Sequence, residues 1–241
     1  MFTMKKLILF LPVLLSVTFL FAQSTVVHDS HAEARTVTSF HAIEISSGIN
    51  LTIKQGNDEA VAVSALTPEI RSRIKTKVEN GTLKIYFDND GLRGWKNNRE
   101  LKAYVSFKNI DGLEINSGSF TTIDGELNAT NLNVNVSSGA GFEGIVKATK
   151  LDVDQSSGSR ANLKGKVTDL KVSASSGAGF SGYELTSDNC KADASSGGNI
   201  EVNVTKELDA QASSGGGIDY KGSVSVTNIS KSSGGRVAKH S

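Results

Sequence analysis

The chain has 241 residues with 26 basic and 25 acidic side chains, a formal charge of +1 that leaves no electrostatic footprint for nucleic acid or an anionic membrane surface. A single cysteine, Cys190, excludes an intrachain disulfide. Twenty-four glycines against two prolines fit a protein of many tight turns better than a disordered linker.

Residues 1–22 read as a secretory signal peptide, with Lys5-Lys6, an apolar run from Leu7 to Phe21, and Ala22 ahead of a polar residue. Spanning a bilayer takes about 20 apolar residues, and Pro12, Ser16 and Thr18 interrupt this run, so no membrane span is expected. Cleavage after Ala22 leaves 24 basic and 25 acidic residues, net −1, and no cysteine follows that could carry a lipid. The expected location is outside the cytoplasm: periplasmic, outer-surface or secreted.

Residues 23–35 are polar and aperiodic and read as a flexible leader. His28 and His31 lie there beside Asp29 and Glu33, but an unstructured tail gives neither ligand geometry nor the hydrogen bonds that orient a ligating histidine. No metal or cofactor is assigned.

Residues 36–114 form an N-terminal β region holding the first rungs. Ile43 and Ile45, then Ile49, Leu51 and Ile53, alternate with polar residues, as do Val61 and Val63. Asn80-Gly81 between Ile74–Val78 and Leu83–Phe87 predicts a β-hairpin. These strands are expected to cap and widen the first turns. Asp88 to Glu100 breaks the alternation and carries the only tryptophan. Trp95 with Arg93, Lys96 and Arg99, beside Tyr86 on the preceding strand, is a candidate contact surface for a glycan or protein ligand. The alternative is that Trp95 folds back to plug the end of the hairpin.

Residues 115–241 are regular repeats, continuous with 36–114 in one domain. Ser-Ser-Gly recurs with its glycine at Gly48, Gly139, Gly158, Gly177, Gly197, Gly215 and Gly234, and Asn116-Ser117-Gly118 is a variant. From Gly118 the intervals are 21, 19, 19, 20, 18 and 19 residues, a solenoid period. Counting back from the first serine, Leu132, Leu151, Leu170, Cys190 and Leu208 share one column, and Val134, Val153, Val172, Ala192, Ala210 and Ile229 the next inward one. The side-chain period of two predicts strands with one buried face. Cys190 is then a buried stand-in for leucine. In-register stacking sets Asp152 beside Lys171 and Lys191 beside Asp209 on a solvated outer face. Phe142, Ala161, Phe180, Ile200 and Ile218 return inward, and Gly144, Gly165, Gly182 and Gly222 are expected to turn a second corner. Eight rungs would make a rod of about 40 Å.

Gly48, Gly118, Gly139, Gly158, Gly177, Gly197, Gly215 and Gly234 are read as structural corner residues at φ > 0, with serine hydroxyls bonding the backbone beside them. A serine nucleophile needs a base in reach, and no histidine occurs between His41 and His240. No catalytic residue is assigned.

Phe40-His41-Ala42-Ile43-Glu44-Ile45-Ser46-Ser47-Gly48-Ile49-Asn50-Leu51, with Asn80-Gly81-Thr82-Leu83-Lys84-Ile85 and the recurrent Ser-Ser-Gly, resembles the bacterial putative autotransporter-adhesin head domain family, named for its Gly-Ile-Asn motif, over most of residues 36–237. The resemblance implies an all-β, right-handed, single-stranded parallel β-helix without catalytic residues, and a role in adhesion or the cell envelope. The expected function is a non-enzymatic exported surface-interaction module. Two alternatives are a polysaccharide lyase or hydrolase using outward carboxylates such as Asp154, and an envelope protein that docks a partner or a second copy through the uncapped last rung.

Overall fold

The computed structural model describes residues 29–91 and 99–240. It is 64% strand and 2% helix, a β-solenoid of about seven turns with rungs about 19 residues apart. Residues 1–22, read as a signal peptide, lie outside the described residues, as does the first part of the leader.

The strands are β1 (Glu33–Arg35), β2 (Ala42–Ile45), β3 (Asn50–Gln55) and β4 (Ala60–Ser64). A one-turn helix α1 (Pro68–Arg71) precedes β5 (Ile74–Glu79), β6 (Thr82–Phe87), β7 (Lys102–Phe107) and β8 (Gly112–Ile115). Long bent strands follow: β9 (Phe120–Val136), β10 (Gly141–Gln155), β11 (Arg160–Ala174), β12 (Gly179–Ala194) and β13 (Asn199–Ala212). The last turn uses β14 (Gly217–Lys221), β15 (Val226–Lys231) and β16 (Arg236–Lys239).

From β8–β9 onward, spatial order follows chain order. Each stretch before a Ser-Ser-Gly phrase pairs in parallel with its equivalent one rung on, as in Asp152↔Lys171 and Lys191↔Asp209, and so does each stretch after it. The inward columns are sealed: Leu151, Val153, Val172 and Ala210 are fully buried, as are Phe142, Phe180 and Ile200 against them. Cys190 lies in the same core, where burial, aided by the nearby Asp209 carboxylate, pushes its thiol up to about 12. Such a thiol has no reactive thiolate near neutral pH.

At each corner two consecutive residues are left-handed. The second serine has φ between 45° and 69° and the glycine between 71° and 78°. The sequence reading gave this conformation to glycine alone. The corner is closed by backbone bonds: Ala140 N donates to Ser137 O (3.1 Å) within the turn, and Gly139 N to Ser157 O (3.0 Å) on the next rung. Among the described residues the serine hydroxyls inside the phrase make no bond to the backbone, whereas the serine that follows Gly158 does: Ser159 Oγ donates to Val136 O (2.8 Å). A second bend falls at Gly144, Gly165 and Gly222, all left-handed. Gly182 differs: its backbone is not left-handed, and a Cβ there would come within 2.5 Å of the Phe180 ring.

The N-terminal region departs from chain order. β2 pairs in parallel with both β6 and β8, and β3 with both β7 and β9. The rung β2–β3 is therefore threaded between β6–β7 and β8–β9, and β6–β7 forms the end rung. Antiparallel β5 covers β6, antiparallel β4 covers β7, and β1 covers β4. The expected capping role thus belongs to β1, β4 and β5, while β6 and β7 are themselves a rung. Asn80 (φ 51) and Gly81 (φ 76) make the β5–β6 hairpin turn. Thr67 caps α1, accepting from Ile70 N at 3.4 Å, and Ile70 is buried under the cap.

Residues 29–35 correct the reading of a flexible leader that extends to Arg35. Tyr104 donates its hydroxyl to Asp29 Oδ2 (2.8 Å), and Arg71 Nε donates to Glu33 Oε2 (2.9 Å). These anchors fasten the segment to the cap; its lack of hydrophobic period hid a strand held by polar contacts.

Candidate interaction surfaces

Residues 88–91 and 99–101 flank the connection from β6 to β7, and since those strands are the two sides of the end rung, these flanks lie where the other rungs carry Ser-Ser-Gly. They are pinned together. Arg73 Nη1 donates to Asp90 O (2.9 Å), Arg99 Nη1 donates to Asn89 Oδ1 (2.9 Å), and the Arg99 guanidinium lies 4.8 Å from the Phe87 ring centroid. Trp95, Arg93 and Lys96 lie outside the described residues. Tyr86 is half-buried on the outer face of β6, with Lys75 opposite it and the Lys77 ammonium 5.5 Å from its ring centroid. Its ring is thus shared with a lysine of the cap.

A groove of about 670 Å³ runs where the cap meets the regular coil. Its head is built by three neighbouring rungs: Asp111 N donates to His41 O (2.9 Å) and Asn133 N to Asp111 O (2.9 Å). On this backbone the His41 Nδ1 sits 2.8 Å from Asp111 Oδ1, with both side chains exposed. Asn109, Asn128, Asn131 and Lys150 line the rest. Amides, an imidazole and a carboxylate together offer donors and acceptors in close alternation, suited to a ligand rich in hydroxyls or peptide groups. Sequence reading missed this groove because its residues come from four segments joined only by the threaded topology.

The outward carboxylates do not converge. Asp152 is held by Lys171 Nζ at 3.1 Å, Lys191 lies 4.0 Å from Asp209, and Asp154 is flanked in register by Asn135 and Ser173. Asp188 is held below the usual carboxylate range by hydrogen bonds from Lys206 and Thr205. Among the described residues, no three His, Cys, Asp or Glu side chains gather as a metal site would require. No helix of the described residues is long and apolar enough to cross a membrane.

The fold is shared with solved structures of low sequence identity. A putative adhesin from Bacteroides fragilis NCTC 9343 superposes with a TM-score of 0.77 at 18% identity, covering 87% of this chain and 96% of that one. A putative adhesin from Parabacteroides distasonis ATCC 8503 gives 0.69 at 16% identity, over 87% and 96%. A putative lipid binding protein from the same organism gives 0.61 at 20% identity, over 88% and 98%. No curated protein matches the chain in sequence. Residues 39–223 match the family model described as "Putative auto-transporter adhesin, head GIN domain", and the chain belongs to that family.

Proposed function

We propose that this chain is an exported surface-interaction module that acts by binding rather than by catalysis. The observation that carries the reading is the His41–Asp111 groove, a large polar cleft whose floor is rigid backbone shared by neighbouring rungs. Preorganised donors and acceptors on an inflexible scaffold lower the ordering cost of recognition. Family membership, and the basic-then-apolar start of residues 1–22, support export and adhesion.

The test is binding of the purified chain to immobilised cell-surface and matrix preparations, beside His41→Ala and Asn131→Ala. Wild-type retention that drops at least tenfold in both variants is the expected result. Cleavage of an acidic polysaccharide that disappears in Asp154→Ala would overturn it in favour of an enzyme.

A further inference from the structure

The side of the coil that follows each corner carries an outward column, found from Gly118 onward by counting two residues beyond each corner glycine. In ladder register it reads Phe120, Gly141, Arg160, Gly179, Asn199, Gly217, Arg236. Long side chains alternate with glycines, and the three glycines are not equivalent. A Cβ on Gly141 would lie 2.3 Å from Phe120 Cδ2, so the aromatic ring covers it. A Cβ on Gly217 would lie 2.6 Å from Asn199 Oδ1, so that amide covers it. Over Gly179 there is nothing within 4 Å.

The bare glycine lies in the floor of a trough of about 420 Å³ that runs along the rod axis from Phe120 to Asn199. Four rung steps make its length about 19 Å. Phe120 is 41% exposed at one end although it sits in a well-ordered ladder, an uncovered aromatic surface. Arg160, Asn162 and Asn199 surround the bare backbone, and none of the three side chains has a hydrogen-bond or ion-pair partner among the described residues. The flanking carboxylates are otherwise engaged: Glu143 accepts from Thr122 Oγ1 (3.4 Å) and Glu201 from Ser181 Oγ (2.9 Å).

From this we infer that the trough over Gly179 is a binding site for an extended, uncharged oligosaccharide lying parallel to the rod axis, about one sugar per rung. The aromatic ring takes the C–H face of a pyranose. The two free amides and the guanidinium meet hydroxyls with both donors and acceptors. The rung spacing is close to the length of one hexose in an extended β-linked chain, so contacts repeat in step with the ligand. Glu143 and Glu201 along one wall disfavour an anionic glycan. The site is separate from the His41–Asp111 groove and rests on the reading of the chain as a binding module.

The probes are cellohexaose, xylohexaose and mannohexaose, with hexagalacturonate as the charged counterpart, titrated calorimetrically into the purified chain. At least one neutral hexaose is expected to bind, hexagalacturonate at least tenfold more weakly. Phe120→Ala should weaken binding at least tenfold. Gly179→Val should abolish it without lowering the melting temperature, because Gly179 is not left-handed and its Cβ enters empty space. Absence of binding to all three neutral hexaoses, equal binding in both variants, or preference for hexagalacturonate overturns the assignment. Retention on cell-surface preparations with no hexaose bound would sink the trough and leave the surface-interaction reading standing; failure of both would sink both.

Discussion

The two ends of the coil are built from the same repeat and finished differently. At one end β6–β7 is covered by three antiparallel strands and a helical turn, over a core of Ile43, Ile85, Phe87 and Phe107. At the other, β15–β16 pairs only on its inner flank among the described residues, and Ile229 is 40% exposed in a column that is buried on every earlier rung. The residue after the corner glycine shrinks in the same direction: Ile49 at the capped end, then Ser119, Ala140, Ser159 and Ala178, then Gly198, Gly216 and Gly235. A coil in which each rung contacts only its neighbours has local stability set rung by rung. Stability should therefore decline along the rod toward β16.

The largest effect expected from a single substitution is at the capped end. Phe107 is fully buried, and Phe107→Ala should cost about 3–5 kcal/mol in denaturant unfolding. The matching truncation of half-buried Val237→Ala on β16 should cost under about 0.5 kcal/mol, and comparable losses at both ends would break the comparison.

A sharper form uses one clash at two places. A Cβ on Gly198 would approach Ala174 O to 2.2 Å, and one on Gly235 would approach Ala212 O to 2.1 Å. Gly198→Ala is clamped between rungs and should destabilise by about 1–3 kcal/mol. Gly235→Ala can relieve the same contact by lifting the last rung, so its signature should be faster amide exchange in β15–β16 with the global transition unmoved.

A more modest effect than that of Phe107→Ala concerns the segment that leads into the outermost strand of the cap. Burial opposes the charge of Asp29, but hydrogen bonds from the His31 N–H and the Tyr104 hydroxyl prevail and hold its carboxyl below the usual 3.8. With the folded value depressed, the unfolded chain binds the proton more readily. The contribution is present above pH about 4 and lost as pH falls through the folded value. Tyr104→Phe should remove about 1 kcal/mol at neutral pH and flatten the acid limb below pH 4. An unchanged acid limb would mean that β1 is not fastened by this pair.

What the sequence made legible was whatever is local or repeated. Asn80-Gly81 announces its hairpin within two residues, and the 19-residue repeat by itself aligns Asp152 with Lys171. The threading of β2–β3 was not legible, since its pairings join Ala42 to Thr82 and Gly112 without any shared local pattern. The Gly179 trough lay between these cases. Its column appears when residues are counted forward from each corner glycine, but only the side chains show that Phe120 and Asn199 cover their glycines while Gly179 stays bare.

The threaded rung also gives the rod a direction of strength. Force applied on the side of residue 42 must slide β2 and β3 out from between strands held on both flanks, breaking whole ladders at once in shear. Force applied on the side of β16 opens one rung after another. A tether through the N-terminal side would therefore bear load that a tether through the opposite side would lose by fraying.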